Sequence, residues 1–243
     1  MSAIIPSARL RFYPLIAIVL VAFIIIGFSR TYYLRFLSDL PPMKVALQLH
    51  GLVFTAWLAL FVAQTQLIAA HRVDLHKKLG IVGVFLSLAV VATSVMAMLV
   101  AAATPRLNQL GLTSPQASII PVVAITQFVV LVTAGIALRR RASLHRRFML
   151  LAVISVLSPA SARLTALLAL REYMLLIQMS VIAVFVTVCL VYDWRKNRVV
   201  HPVFAIGGVV LVLLWPVRYA VARSEMWQPI GQWFAEAGRH LVY

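Results

Sequence analysis

Hydrophobic positions in this chain fall in long, unalternating runs separated by short breaks rich in arginine and lysine. A helix that crosses the hydrocarbon core of a bilayer needs about 20 mostly apolar residues. Seven stretches fit, at 13–29, 45–70, 80–103, 117–138, 148–170, 174–192 and 202–222. Backbone inside hydrocarbon must satisfy its own polar groups, and none of these runs alternates as a barrel strand does, so helices are predicted. The predicted fold is all-α: a seven-transmembrane-helix bundle over 1–222, followed by a tail at 223–243. In the tail, Ile230, Trp233, Phe234, Ala237 and Leu241 share one helical stripe opposite Glu236 and Arg239. That pattern predicts a short interfacial helix with Trp227 and Trp233 at headgroup level.

Composition agrees with the pattern. Of 243 residues, 63% are hydrophobic and 12% charged, and the mean hydropathy is +0.99. A soluble domain is about half apolar and about a quarter charged. A formal net charge of +16 in a soluble chain would suggest nucleic acid. Here the cations flank apolar spans, which reads as membrane topology and contact with anionic headgroups, with no nucleic-acid partner. Thirteen Lys and Arg residues sit on the face that receives the N-terminus and the loops at 71–79, 139–147 and 193–201. Eight sit on the other face, counting Arg218 with the tail. The first face is expected to be cytoplasmic and the C-terminus outside. Arg9 and Arg11 before the first run resemble a signal peptide, but bulky Phe28 and Arg30 replace a small-x-small junction, so a retained first helix is expected.

A loose internal repeat runs through the basic face. HRVDLHKKLG follows the second span, RRRASLHRRFM the fourth, and DWRKNRVVHPVF the sixth. Asp74 and Ser143 are expected to be N-caps, and Pro202 fits a helix start. Spans 2–3, 4–5 and 6–7 are therefore predicted to form three similar hairpins.

Candidate chemistry starts from ionisable groups inside spans, which are costly to hold there and mark buried sites by default. His50 lies six residues beyond Lys44, about 9 Å into its helix, and Arg163 lies about 10 Å from the same outer face. Together they suggest a polar pocket for an anionic or redox-active ligand, such as a haem propionate or a quinone carbonyl. The plainer reading is that each group bonds neighbouring backbone, or that Arg163 snorkels outward. His50, Trp57, Gln64 and His71 recur at seven-residue intervals on one face of span 2. They form either a polar interhelical seam or a ligand path, with Gln64 as a further candidate contact. At the basic face His76, His145 and His201 could converge, near Asp193, as a metal site of zinc or iron type, against the alternative that they decorate helix starts.

Several signatures are missing. The lone cysteine, Cys189, can build neither a disulfide nor a thiolate metal site. There is no H-E-x-x-H or phosphate-binding glycine loop. All six acids lie at span ends or outside spans, which disfavours a transporter coupled through a buried carboxylate. Ser155, Ser158 and Ser161 are expected to bond backbone.

The strings LHGLVFTAW, RVDLHKKLG, LHRRFMLLA and VVHPVF resemble a group of uncharacterised bacterial multi-pass membrane proteins. The resemblance implies a bacterial inner-membrane location and no particular activity. A more distant likeness is to b-type membrane cytochromes of the cytochrome b561 kind, which implies haem b. His50, however, has no histidine partner in the outer half of any span. Three functions stay open: a redox or ligand-binding protein using His50 and Arg163, a non-catalytic transport, assembly or scaffold protein, and a metal-dependent enzyme acting on lipid at the inner surface.

Overall fold

The computed structural model describes residues 12–108 and 110–241. The chain enters as α1 (Phe12–Phe28), with Pro14 in the first turn, where its missing N–H costs nothing. A π-helical turn, Ser29–Tyr33, extends it. Next come α2 (Val45–Ala69) and α3 (Val73–Ala103), joined by a turn in which His71 takes a left-handed conformation at φ 59°. A short α4 (Ser114–Ala117) begins with a reciprocal cap between Thr113 and Gln116 and leads into α5 (Ile119–Ala137). Span 5 is two helices, α6 (Ala142–Ser155) and α7 (Ser158–Leu167), interrupted just ahead of Pro159. α8 (Met174–Asn197) stops at Arg198 in the left-handed region, φ 58°. α9 (Pro202–Arg223) starts on the cap residue His201, and α10 (Trp227–Gly238) follows, continued by a 3-10 turn at Arg239–Leu241.

Among the described residues, seven helical stretches are long and apolar enough to cross a membrane. The neighbouring pairs α2–α3, α5–α6 and α8–α9 pack side by side, as the three predicted hairpins require. Rows of exposed apolar side chains, such as Leu15, Ile18, Ile81, Phe85, Leu88, Val209 and Leu213, cover the outside. No aqueous solvent would tolerate that surface, and the protein is an integral multi-pass membrane protein.

One span is central. In α6–α7, 61% of the apolar stretch is buried, against 22–33% in the other six spans. Leu150 to Ile154, Leu157 and Ala160 are closed off on every side. α1, α5, α8 and α9 pack directly on this span, while α2 and α3 are attached through α1 and α5.

Some local expectations are corrected. α3 begins at Val73, seven residues before the predicted edge, so His76, Lys77 and Lys78 lie in helix. Asp74 and Ser143 are first-turn residues rather than caps, because each helix starts two residues earlier, behind Arg72 and Arg141. Asp74 makes only an exposed 3.7 Å pair with Arg72. α10 has two faces. Trp227, Gly231 and Gly238 dock on α3 and α4, with Gly238 so close to the Leu99 carbonyl that no Cβ would fit. Ile230, Trp233 and Leu241 of the predicted stripe remain exposed, free to meet the membrane interface.

Candidate functional site

His50 projects from α2 toward α3. Its Nδ1 lies 3.4 Å from Thr93 Oγ1 and 3.5 Å from Ser94 Oγ. Both distances are long for a hydrogen bond, and Thr93 already donates to the Ala89 carbonyl at 2.8 Å. The imidazole stacks on Phe54, with centroids 5.8 Å apart, at the head of an aromatic ladder through Trp57 and Phe61. Trp57 Nε1 donates to Ser87 Oγ on α3 at 2.9 Å, so this part of the span 2 seam is an interhelical hydrogen bond.

Arg163, on α7, donates through Nε to Thr31 Oγ1 at 3.0 Å and through Nη1 to the Pro159 carbonyl at 2.8 Å. Its guanidinium carbon lies 4.0 Å from the centre of the Phe28 ring, a cation–π contact. The turn at Ser29–Tyr33 lies beside both groups: Thr31 meets Arg163, while the Tyr32 ring fills the space over Gly51, next to His50. Gly51 is needed there, since a side chain would strike that ring. Tyr33 shares a 2.8 Å hydrogen bond with Thr55 on α2. An open depression of about 390 Å³, lined by Ser29, Arg30, Leu34, Leu37, Ser38 and Asp39, adjoins this segment. Among the described residues no hydrogen bond joins His50 to Arg163 directly. Gln64 is not part of this corner: it lies fourteen residues along α2 from His50, about 21 Å at the helical rise. There it approaches Gly80 of α3, with its Oε1 buried and unpartnered.

A bis-histidine haem does not fit His50, whose contacts supply two hydroxyls and a phenyl ring rather than a second imidazole.

At the basic face, His76 and His145 meet edge to face at 6.2 Å between centroids. His145 Nδ1 donates to the Gly135 carbonyl at 2.8 Å, and His76 Nδ1 is buried without a partner. His201 is occupied elsewhere. Its Nδ1 accepts from the Val203 amide at 3.2 Å, capping α9, and its own amide donates to Asp193 Oδ2 at 3.3 Å. Burial, followed by the Arg147 guanidinium, lowers its pKa below the usual histidine value, which keeps that nitrogen free to accept. Among the described residues no group of three or more His, Cys, Asp or Glu side chains is placed to hold a metal.

Two buried arginines escape a reading of the sequence by charge runs. Arg147 forms a two-point ion pair with Asp193: Nε to Oδ2 at 2.9 Å and Nη2 to Oδ1 at 2.6 Å. Its Nη1 adds bonds to the carbonyl and hydroxyl of Ser143. Arg147 is 1% exposed and Asp193 fully buried, so a pair that ties α6 to α8, and through His201 to α9, sits inside the bundle. Its signal is hidden because Arg147 ends a basic run whose first members, Arg139, Arg140 and Arg141, are exposed. Arg218, also 1% exposed, contacts Gln127 of α5 through Nη2 and lies 5.0 Å from the Trp215 ring centre. It is a lone cation in an apolar span, the same signal that marks Arg163, but counting it with the outer flank concealed it.

These features define a class, a polytopic helical membrane protein with ionisable groups inside its spans. No protein-family model, curated protein or solved structure matches the chain.

Proposed function

We propose that this protein binds an apolar small molecule bearing a carbonyl group, of the quinone type, between α2, the Ser29–Tyr33 turn and α7. One observation carries the reading: the His50 ring has unspent hydrogen-bonding capacity inside a span, held only by two long contacts and an aromatic stack. A polar group in hydrocarbon without a firm partner is a functional position by default. Phe54 and Tyr32 supply flat faces for a ring, His50 a hydrogen bond to one carbonyl, and Arg163 a positive field. Such a site, mostly apolar with few polar groups, is the usual form for small-molecule recognition.

Titration of detergent-solubilised protein with a short-chain quinone tests this. Saturable binding is expected, weaker by roughly tenfold in His50→Leu, the equivalent of one lost hydrogen bond of about 1.4 kcal/mol. Equal, unsaturable partitioning into both proteins would remove the proposal.

The same reading places the protein in a bacterial inner membrane, its basic face toward the cytoplasm and anionic lipid. Labelling of single cysteines in a Cys189→Ala background decides the orientation. A residue-140 probe should be shielded in intact cells and a residue-233 probe reactive. The reverse pattern inverts the topology.

A further inference from the structure

Arg218, Gln127 and Trp215 make a second, unrelated cluster in the interior. The one hydrogen bond within it runs from Arg218 Nη2 to Gln127 Oε1. That bond uses the acceptor end of the Gln127 side chain and leaves its amide nitrogen without a partner. What remains consists of donors. Arg218 Nε and Nη1, Gln127 Nε2 and Trp215 Nε1 are each buried with no partner. Arg218 and Trp215 are 1% exposed and Gln127 8%. No carboxylate neutralises the cation: among the described residues the salt bridges are Arg72–Asp74 and Arg147–Asp193.

A buried guanidinium without a counter-charge is costly, and a water molecule could serve its N–H groups without neutralising it. A partner that answers both the bonds and the charge carries negative charge and accepts several N–H bonds at once. Arg218 lies five residues from Arg223 at the end of α9, about 7.5 Å by helical rise, within reach of the outer face. Tight burial of all three side chains favours an ion over an organic acid. We propose that Arg218, Gln127 and Trp215 bind a small monovalent anion of chloride size, held by N–H donors from α5 and α9. The bound anion links these two helices near Pro216, where α9 lacks one backbone N–H donor.

Binding of ³⁶Cl⁻ to the purified full-length protein, and its melting temperature in chloride against gluconate at equal ionic strength, test the site. Saturable binding near one ion per chain is expected, with a melting temperature that rises with chloride and then levels off. Arg218→Met should abolish both responses. Should that variant fail to fold, Gln127→Glu serves instead. Its carboxylate supplies the missing charge within the chain, so it should fold, bind no chloride and melt at a temperature independent of the anion. Absence of chloride binding in the wild-type protein, or undiminished binding in Gln127→Glu or Arg218→Met, would overturn the proposal.

Discussion

Arg147 and Arg218 are equally buried, at 1% exposure each, and differ in almost everything else. Arg147 faces a carboxylate across two short bonds and spends its third nitrogen on Ser143. Arg218 has one neutral amide and two idle nitrogens. A buried charge survives only when its bonds and its charge are both answered. The first site answers them within the chain and is a structural clasp. The second is answered only in part, which is why it, and not the clasp, invites a ligand.

The largest effect expected from this contrast is at the clasp. Asp193→Asn leaves Arg147 buried beside a neutral amide, and loss of one partner of a buried pair costs roughly 3–5 kcal/mol. The melting temperature in detergent should fall by roughly 10 °C, at about 2–4 °C per kcal/mol for a chain of this size. Replacing both partners, as in Arg147→Met with Asp193→Leu, should recover part of that loss because no charge is left stranded. In chloride-free buffer, Arg218→Met should cost far less than Asp193→Asn. Equal losses would mean that Arg218 is already satisfied, and the contrast would fail.

The two regions also differ in how far they can be read from sequence. Apolar run length and the period of charged breaks give the seven spans and the three hairpins, because hydrocarbon punishes every exposed polar group along a span. His50 and Arg163 stand out for the same reason. Arg147 does not, since its neighbours Arg139, Arg140 and Arg141 are surface cations and linear sequence cannot say which one turns inward. The turn of α6 toward α8, set by packing around the central span, makes that choice. The break before Pro159 is legible from the proline only in retrospect. Convergence of His201 with His76 and His145 looked natural from the repeated turns. The nearby α9 start spends His201 on capping instead, because the Val203 amide needs an acceptor.

A smaller effect sharpens the contrast through pH. His201 touches the clasp through the carboxylate of Asp193, and its environment combines burial with the guanidiniums of Arg147 and Arg146, opposed by Asp193. Its folded pKa lies below the value of about 6.5 expected in the unfolded chain. The unfolded state therefore binds more protons in mildly acid solution, and stability must rise with pH through that window. The contribution is fully present above the unfolded pKa and fades as pH drops through the lowered folded one. Protonation also removes the lone pair that receives the Val203 amide, so acid weakens the start of α9. His201→Asn keeps a side-chain acceptor at the cap without a titrating group. Between pH 7.5 and 5.5 the wild-type melting temperature should therefore fall further than that of His201→Asn. Parallel pH profiles would show that His201 is as free to protonate in the folded protein as in the unfolded chain, and that the clasp does not feel its charge.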